Sequence, residues 1–441
     1  MFLSSLGFQS LKKVKAPSKR HFRPRGEALE RRELLATLLV DDDGRQFRDA
    51  DYATIQEAVN AADPGDTIRV AAGRYEESVN VDKELTILGA QSNKDQRFKV
   101  QSQSKNSVVE VPAGGAFGFN LDADNIVLKG FIIQDSNDDG VSPVGVITTR
   151  DTSGSVIARN VIQSNTFGIY LNSNGEETTV VEDNLIRDNN QAGSASGNGI
   201  YSDQGLSNAE IEGNRFTGHV NASIILVGGG PLGEDTVQSD IEIQRNVFID
   251  DASIILTNTT DSEISFNVME GSNGSGVFLG GGVSDLVIRK NVLVDGEFTA
   301  INLRTNTFGN AAEPNSDIDI IDNVIAGWGD TGIRLSAGAN DITVRGNRIS
   351  GTAFDGISLE DGAINNLIEK NRLDRNGRDG IRVDATSVDN RLIKNKASRN
   401  GEHDYHDDST GSGTAGTGNE WSKNEGKTQN RPGLISKSKK K

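Results

Sequence analysis

Arg334, Glu360 and Asp384 stand in three near-copies of one segment and together offer one cation and two carboxylates. An arginine can clamp a carboxylate with two hydrogen bonds, and a positioned carboxylate can move a proton. Arg382 lies two residues before Asp384 in the same copy. At corresponding places upstream the chain carries Tyr170, Tyr201 and Phe278, then Asn302 and Arg304. Aromatic rings offer apolar faces with polar tips, which suit sugar rings, while arginines suit uronate or sulfate groups. Arg334, Glu360 and Asp384 are therefore read as a catalytic group, with the arginine as base. Tyr170, Tyr201, Phe278, Asn302, Arg304 and Arg382 are read as binding groups for an anionic or mixed polysaccharide. An ordinary solvated face with paired charges competes for the same residues.

Three further clusters invite metal or proton chemistry. Asp135-Ser136-Asn137-Asp138-Asp139-Gly140 matches the first half of a calcium loop, with Asp135, Asn137 and Asp139 as ligands. Val146 occupies the place of the bidentate glutamate, so an Asx turn is the other reading. His403-Asp404-Tyr405-His406-Asp407-Asp408 could hold a divalent metal, run acid–base chemistry or close the end of the fold. Glu182, Glu210, Glu212, Glu242 and Glu263 are read as one acidic column that a weakly held cation or basic residues would screen. Calcium is the one cofactor these patterns suggest. The chain has no cysteine, which removes disulfides, thiolate ligands and cysteine nucleophiles. G-x-S-x-G, H-E-x-x-H, the P-loop and Gly-His-Gly are absent, and two G-x-G-x-x-G matches lack a flanking strand and helix.

The elements that must position these residues follow from a repeat. TGIRLSAGANDITVRGNRISG, DGISLEDGAINNLIEKNRLDRN and DGIRVDATSVDNRLIKNKASRN put Gly332-Ile333, Gly356-Ile357 and Gly380-Ile381 a constant 24 residues apart. A fixed period of this size predicts a solenoid. Asparagines continue it upstream: Asn160, Asn184, Asn214, Asn246, Asn267, Asn291, Asn323, Asn347, Asn371 and Asn395, at steps of 21 to 32. Stacked coils would set these amides one strand spacing apart, so an asparagine ladder is expected. Longer steps mark insertions at 228–238, 306–316 and 188–196, the first two on one edge. Apolar residues alternate and are largely β-branched, which predicts strands. The fold class expected is all-β, a single-stranded parallel β-helix.

A capped entrance precedes the coils. Ile55, Ala58, Val59 and Ala62 fall on one helical face within 53–62, with Thr54 and Glu57 as a capping box. Short strands are predicted at 67–70, 78–81 and 85–88. TIQEAVNAADPGDTIRVAAGRYEESVNVDKELTILGA resembles the opening of right-handed parallel β-helix proteins of the pectate-lyase-like superfamily. The resemblance implies a right-handed β-helix behind an N-terminal capping helix. It narrows the substrate class to polysaccharides without naming a reaction. NGEHDYHDDSTGSGTAGTGNEWSKN is similar to the segment that closes the last coil in such proteins.

Charge divides the chain. The formal net charge is −17, yet residues 1–35 carry nine Lys/Arg and 436–441 carry four, so the body holds 33 basic against 60 acidic residues. An acidic body excludes nucleic acid as main partner. No stretch reaches the roughly 18 apolar residues of a membrane span. Residues 1–40 are expected to be a basic export or sorting tail, 41–425 the β-helix and 426–441 a basic C-terminal tail. Leu29-Glu30-Arg31-Arg32-Glu33-Leu34-Leu35 resembles the L-E-P-R-x-L-L segment of bacterial extracellular proteins, with Arg31 in place of proline. An extracellular or cell-surface destination is what that implies. The reading is a polysaccharide-binding and lyase-like protein, with a non-enzymatic surface or scaffold module as the alternative.

Overall fold

The computed structural model describes residues 35–135, 143–228, 238–305 and 313–436. Each coil contributes three short strands separated by turns. Leu367–Glu369, Arg372–Asp374 and Ile381–Val383 make one such coil. Each pairs in parallel with the strand 24 residues on: Leu367 with Arg391, Arg372 with Lys396, Ile381 with Tyr405. Repetition builds three parallel sheets of 16, 13 and 13 strands among the described residues. The first sheet starts at Thr37–Val40, the second at Gly73–Glu76 and the third at Val79–Val81.

Alternation sends one row of each sheet inward. Ile320, Val344, Ile368 and Leu392 of the first sheet are fully buried. They join a single apolar cluster that runs from Leu38 to Leu434. Phe216 and Phe248 stack inside it with ring centroids 4.9 Å apart. Trp328 fills the space above Gly296, where a Cβ would lie 2.2 Å from the indole. That close approach leaves room only for glycine.

The turn from first to second sheet has a constant form. Arg159, Asp183, Phe266, Lys290, Asp322, Lys370 and Lys394 all adopt φ between 53° and 58°. An asparagine follows each of them. A left-handed residue with a side chain costs about 1–2 kcal/mol, and the asparagine amide offsets that cost. In Asn184, Nδ2 donates to the Ile157 carbonyl at 2.8 Å and to Oδ1 of Asn214 at 3.0 Å, and Oδ1 accepts from the Asn160 backbone at 2.9 Å. The same bonds connect eleven asparagines from Asn160 to Asn424 in an unbroken chain of amides. Those buried side-chain amides thereby find partners for both nitrogen and oxygen.

A helix of Ile55–Ala61, shorter than the span expected, covers the first coil with Ile55, Ala58 and Val59. Thr54 Oγ1 accepts from the Glu57 amide at 3.2 Å. Glu77 caps the two preceding amides, Ile55 and Gln56, at 2.8 and 2.9 Å.

Several sequence expectations need correction. The N-terminal tail does not reach residue 40, because Thr37–Val40 pairs with Thr67–Val70 as the first strand. Its apolar Leu38 and Val40 are core residues. The helix also does not end at 425. Gln429 bridges Tyr405, and Leu434 is buried under the last coil. The glutamates form two columns: Glu182 with Glu212, and Glu210 with Glu242 and Glu263. Arg245 pairs with Glu212 and Arg289 with Glu263, both at 2.7 Å. Burial and then the neighbouring Glu242, Glu212 and Glu182 hold the Glu210 carboxyl above its usual range. Most of the insertions at 228–238 and 306–316 lies outside the described residues, while 188–196 makes a turn in which Gln191 donates to the Asp135 carbonyl at 3.1 Å. Among the described residues no helix is long and apolar enough to cross a membrane.

Candidate functional site

The third sheet brings the predicted residues together in one outward column. Its register runs Tyr170, Tyr201, Ile225, Ile255, Phe278, Asn302, Arg334, Ser358, Arg382 and then His406. Arg304, Glu360 and Asp384 lie one position beyond their strands, on the same edge. Successive members are separated by one strand spacing, about 4.8 Å.

At the N-terminal end the column is aromatic. The rings of Tyr170 and Tyr201 stack at 5.8 Å, and Phe167 meets them edge-on at 5.9 and 5.7 Å. The hydroxyls of both tyrosines donate to one carboxylate, Asp203, which Tyr201 reaches at 2.9 Å. Burial and the adjacent Asp203 push both phenols far above their ordinary range. They are therefore neutral donors on half-buried rings. Ala222, Ile225 and Val227 form an apolar patch against Tyr201 and Ile255, and Phe278 continues it half-buried.

Charge replaces apolar surface from Asn302 onward. Asn302 is buried, and its Oδ1 has no hydrogen-bond partner. Arg304 is exposed. Arg334 is held on three sides. Its Nη2 donates to Asp330 at 2.9 Å, its Nη1 to Thr299 at 3.1 Å, and its Nε stands 2.7 Å from Glu360 Oε1. The last contact is an ion pair too bent to count as a hydrogen bond. Burial raises the Glu360 carboxyl, Arg334 pulls it back, and Asp361, Asp355 and Asp384 leave it net above its usual range. An arginine must lose its proton before it can act as a base, whereas Asp330 and Glu360 both stand against the Arg334 guanidinium. In this geometry the arginine is the cation, and Glu360 is the group poised to exchange a proton.

Asp384 is placed differently from the sequence reading. Its carboxylate accepts the amides of Asp361, Thr386 and Ser387, each at 2.9 Å. Burial opposes ionisation, but those hydrogen bonds win and hold the carboxyl below its usual range. Asp384 is a turn former whose charge acts on Glu360 from a distance. Arg382 reaches Asp379 at 3.0 Å and Asp408 at 3.2 Å.

Sequence reasoning missed a row of buried groups behind the arginines. Thr331, Asp355 and Asp379 stand at one position on consecutive coils, two residues before the matched Ile333, Ile357 and Ile381, and the partly exposed His403 takes the same place before Tyr405. Arg378 forks onto Asp355, with Nε at 2.9 Å. The available signal was the D-G-I of the repeats, which puts Asp355 and Asp379 at the same place before their strands. A buried pair, His219 Nδ1 with Asp251 at 3.0 Å, was also missed.

The calcium expectation is only partly within the described residues. Asp135 ends the strand Phe131–Asp135 and is buried, while Asn137 and Asp139 lie outside them. Asp41, Asp42 and Asp43 also cluster, but Asp41 spends its carboxylate on the amides of Gly44, Gln46 and Phe47. Tyr405 and Asp407 turn inward at the last coil, where the Trp421 indole donates to Asp407 at 2.7 Å. His403 and His406 face outward. Two concavities lie elsewhere, around Arg74 and Glu110 and around Arg399 and Lys427. An elongated ligand needs a long face more than a pit, so the column carries more weight.

A model of the right-handed beta helix region matches residues 92–248 and 309–428. The chain belongs to the right-handed beta helix family. No curated protein matches it. Among solved structures, this β-helix is similar to the A-module of an Azotobacter vinelandii mannuronan C-5 epimerase, at 13% identity and TM-score 0.51, covering 84% of this chain and 93% of that one. It is also similar to the catalytic unit of a GH87 α-1,3-glucanase from Streptomyces thermodiastaticus, at 16% identity and TM-score 0.51, covering 85% of this chain and 66% of that one. At such identities the likeness is one of fold.

Proposed function

We propose that this β-helix is an extracellular protein that binds an acidic polysaccharide along the outward face of its third sheet and processes it beside Glu360. One observation carries the reading: tyrosine rings, apolar side chains and arginines stand in strict register on consecutive coils. An extended ligand parallel to the axis would meet the tyrosine rings first and cations last. A lyase-type step needs a base at the sugar C5–H and a cation on the uronate carboxylate. Glu360 and Arg334 supply that pair, with Arg304 and Arg382 on either side. Glu360 would take the C5 proton, the C4=C5 double bond would form as the C4–O bond breaks, and the departing oxygen would take a proton from solvent, leaving an unsaturated sugar. The two solved neighbours are named for mannuronan and α-1,3-glucan, and the extracellular setting rests on the segment at Leu29–Leu35.

The non-enzymatic alternative has its own support, because Arg334 and Arg382 are already paired and Asp384 is fixed by its turn. Incubation with pectate, alginate and sulfated glycans, with and without calcium, separates the two. Unsaturated product that disappears in Glu360→Gln supports the lyase. Binding without product, lost in Tyr201→Ala, supports the module. Absence of binding to every glycan removes the lyase and favours a non-enzymatic surface or scaffold module.

A further inference from the structure

We propose that Asp379, His403 and His406 form a site for a divalent transition-metal ion of the zinc class between the last two coils. Asp379 comes from one coil, and His403 takes the equivalent place on the next. His406 is the register partner of Arg382, so its ring rises beside the same carboxylate. The Nδ1 of His403 is 3.3 Å from Asp379 Oδ1, and the Nδ1 of His406 is 3.3 Å from Oδ2. The two ring nitrogens are 3.4 Å apart. Zinc bonds nitrogen and carboxylate oxygen at about 2.0–2.2 Å, so the edge of a tetrahedron around it is roughly 3.3–3.5 Å. Each ring nitrogen stands at that spacing from one oxygen of the Asp379 carboxylate, and the two nitrogens stand at it from each other.

The surroundings favour metal over a plain charge pair. Asp379 is fully buried and its Oδ1 also accepts the His403 amide at 2.9 Å, which fixes the carboxylate. His406 Nε2 is 2.8 Å from Asp408 Oδ1. A proton on Nε2 satisfies that contact and leaves the Nδ1 lone pair facing Asp379 and His403. A carboxylate behind a histidine is the arrangement that orients imidazole ligands on metals. His403 and His406 keep 32% and 13% of their side chains exposed, which leaves an open position toward solvent. Two imidazoles with one carboxylate select transition ions over calcium or magnesium. Arg382 is the counter-cation: its Nη1 lies 3.0 Å from Asp379 Oδ2 and 3.3 Å from His406 Nδ1. A bound metal would displace it, leaving its second contact, Asp408, to hold it.

Calorimetric titration of the full chain with zinc tests the site, with thermal unfolding measured with and without the ion. The expected result is one site that raises the melting temperature and that calcium does not compete for. His403→Ala and His406→Ala, both at partly exposed positions, should each abolish it without changing the melting temperature of the metal-free protein. Asp408→Asn should weaken it by about 10–100-fold. Arg382→Met should tighten it, because the competing cation is gone. Zinc binding that is absent in the wild type, or that survives in the His403→Ala, His406→Ala double variant, overturns the proposal. Unchanged or weaker affinity in Arg382→Met also counts against it.

Discussion

Glu360 follows the strand that pairs with Arg334's own, and its Oε1 stands 2.7 Å from the arginine Nε. The contact crosses from one coil to the next and puts a partly buried carboxylate beside a guanidinium that Asp330 also holds. Removing the cation strands both acids. Arg334→Ala is expected to cost roughly 1–3 kcal/mol in chemical denaturation. Glu360 is already above its usual range, and without Arg334 it should move higher. The cost should therefore shrink as the pH falls through the raised value and Glu360 is protonated. A cost independent of pH would mean that the pair contributes no charge interaction.

The tyrosine platform should separate ring from hydroxyl. Tyr201→Ala removes the stacked ring, with an expected loss of about 0.5–1.5 kcal/mol, or roughly two- to tenfold in glycan affinity. Tyr201→Phe keeps the ring and loses only its bond to Asp203, so its affinity should stay near that of the wild type. Glycan-array or calorimetric measurements distinguish the two, and equal losses would move recognition from the ring to the hydroxyl.

His219 and Asp251 are both fully buried in the turn from second to third sheet. Removing the ring leaves a fully buried carboxyl group without one of its partners, so His219→Leu should cost roughly 1–3 kcal/mol in denaturant unfolding. The preceding coils carry Asn165 and Asn189 at this position, bonded amide to amide at 3.0 Å. Asparagine at both 219 and 251 would extend that column and should recover most of the loss. A double variant no better than the single one would show that the imidazole–carboxyl pair itself is required.

Asp384 gives a pH signature of the opposite sense to Glu360. Its carboxyl is held below the usual range in the folded chain, so the unfolded chain binds the proton first. Its contribution is fully present above the ordinary aspartate value of about 3.9 and is lost as the pH falls through the lower folded value. The stability gap between wild type and Asp384→Ala, measured by denaturation at neutral and acid pH, should close on acidification. A gap that widens in acid would contradict the hydrogen-bonding pattern of that turn.

The sequence by itself determined the coil. A 24-residue period, alternation around Ile333, Ile357 and Ile381, and a recurrent asparagine are local signals, and they add up along the chain. The outward column could be written down from them because register in a parallel stack follows from the same period. Tertiary structure decided what those side chains do. The left-handed turn is built from Arg159, Phe266 and Lys394 alike, so no residue type announces it. Glu77 caps a helix twenty-two residues away, and Thr37–Val40 becomes a strand because Thr67–Val70 offers an edge. Whether Arg334 is a base or a paired cation depends on Asp330 and Glu360 standing on both sides of it. Likewise, His403 and His406 read as a local cluster until the coil below supplies Asp379 between their rings. Each of these outcomes rests on contacts between coils, where distance in space is one strand spacing and distance in sequence is a full turn of the helix.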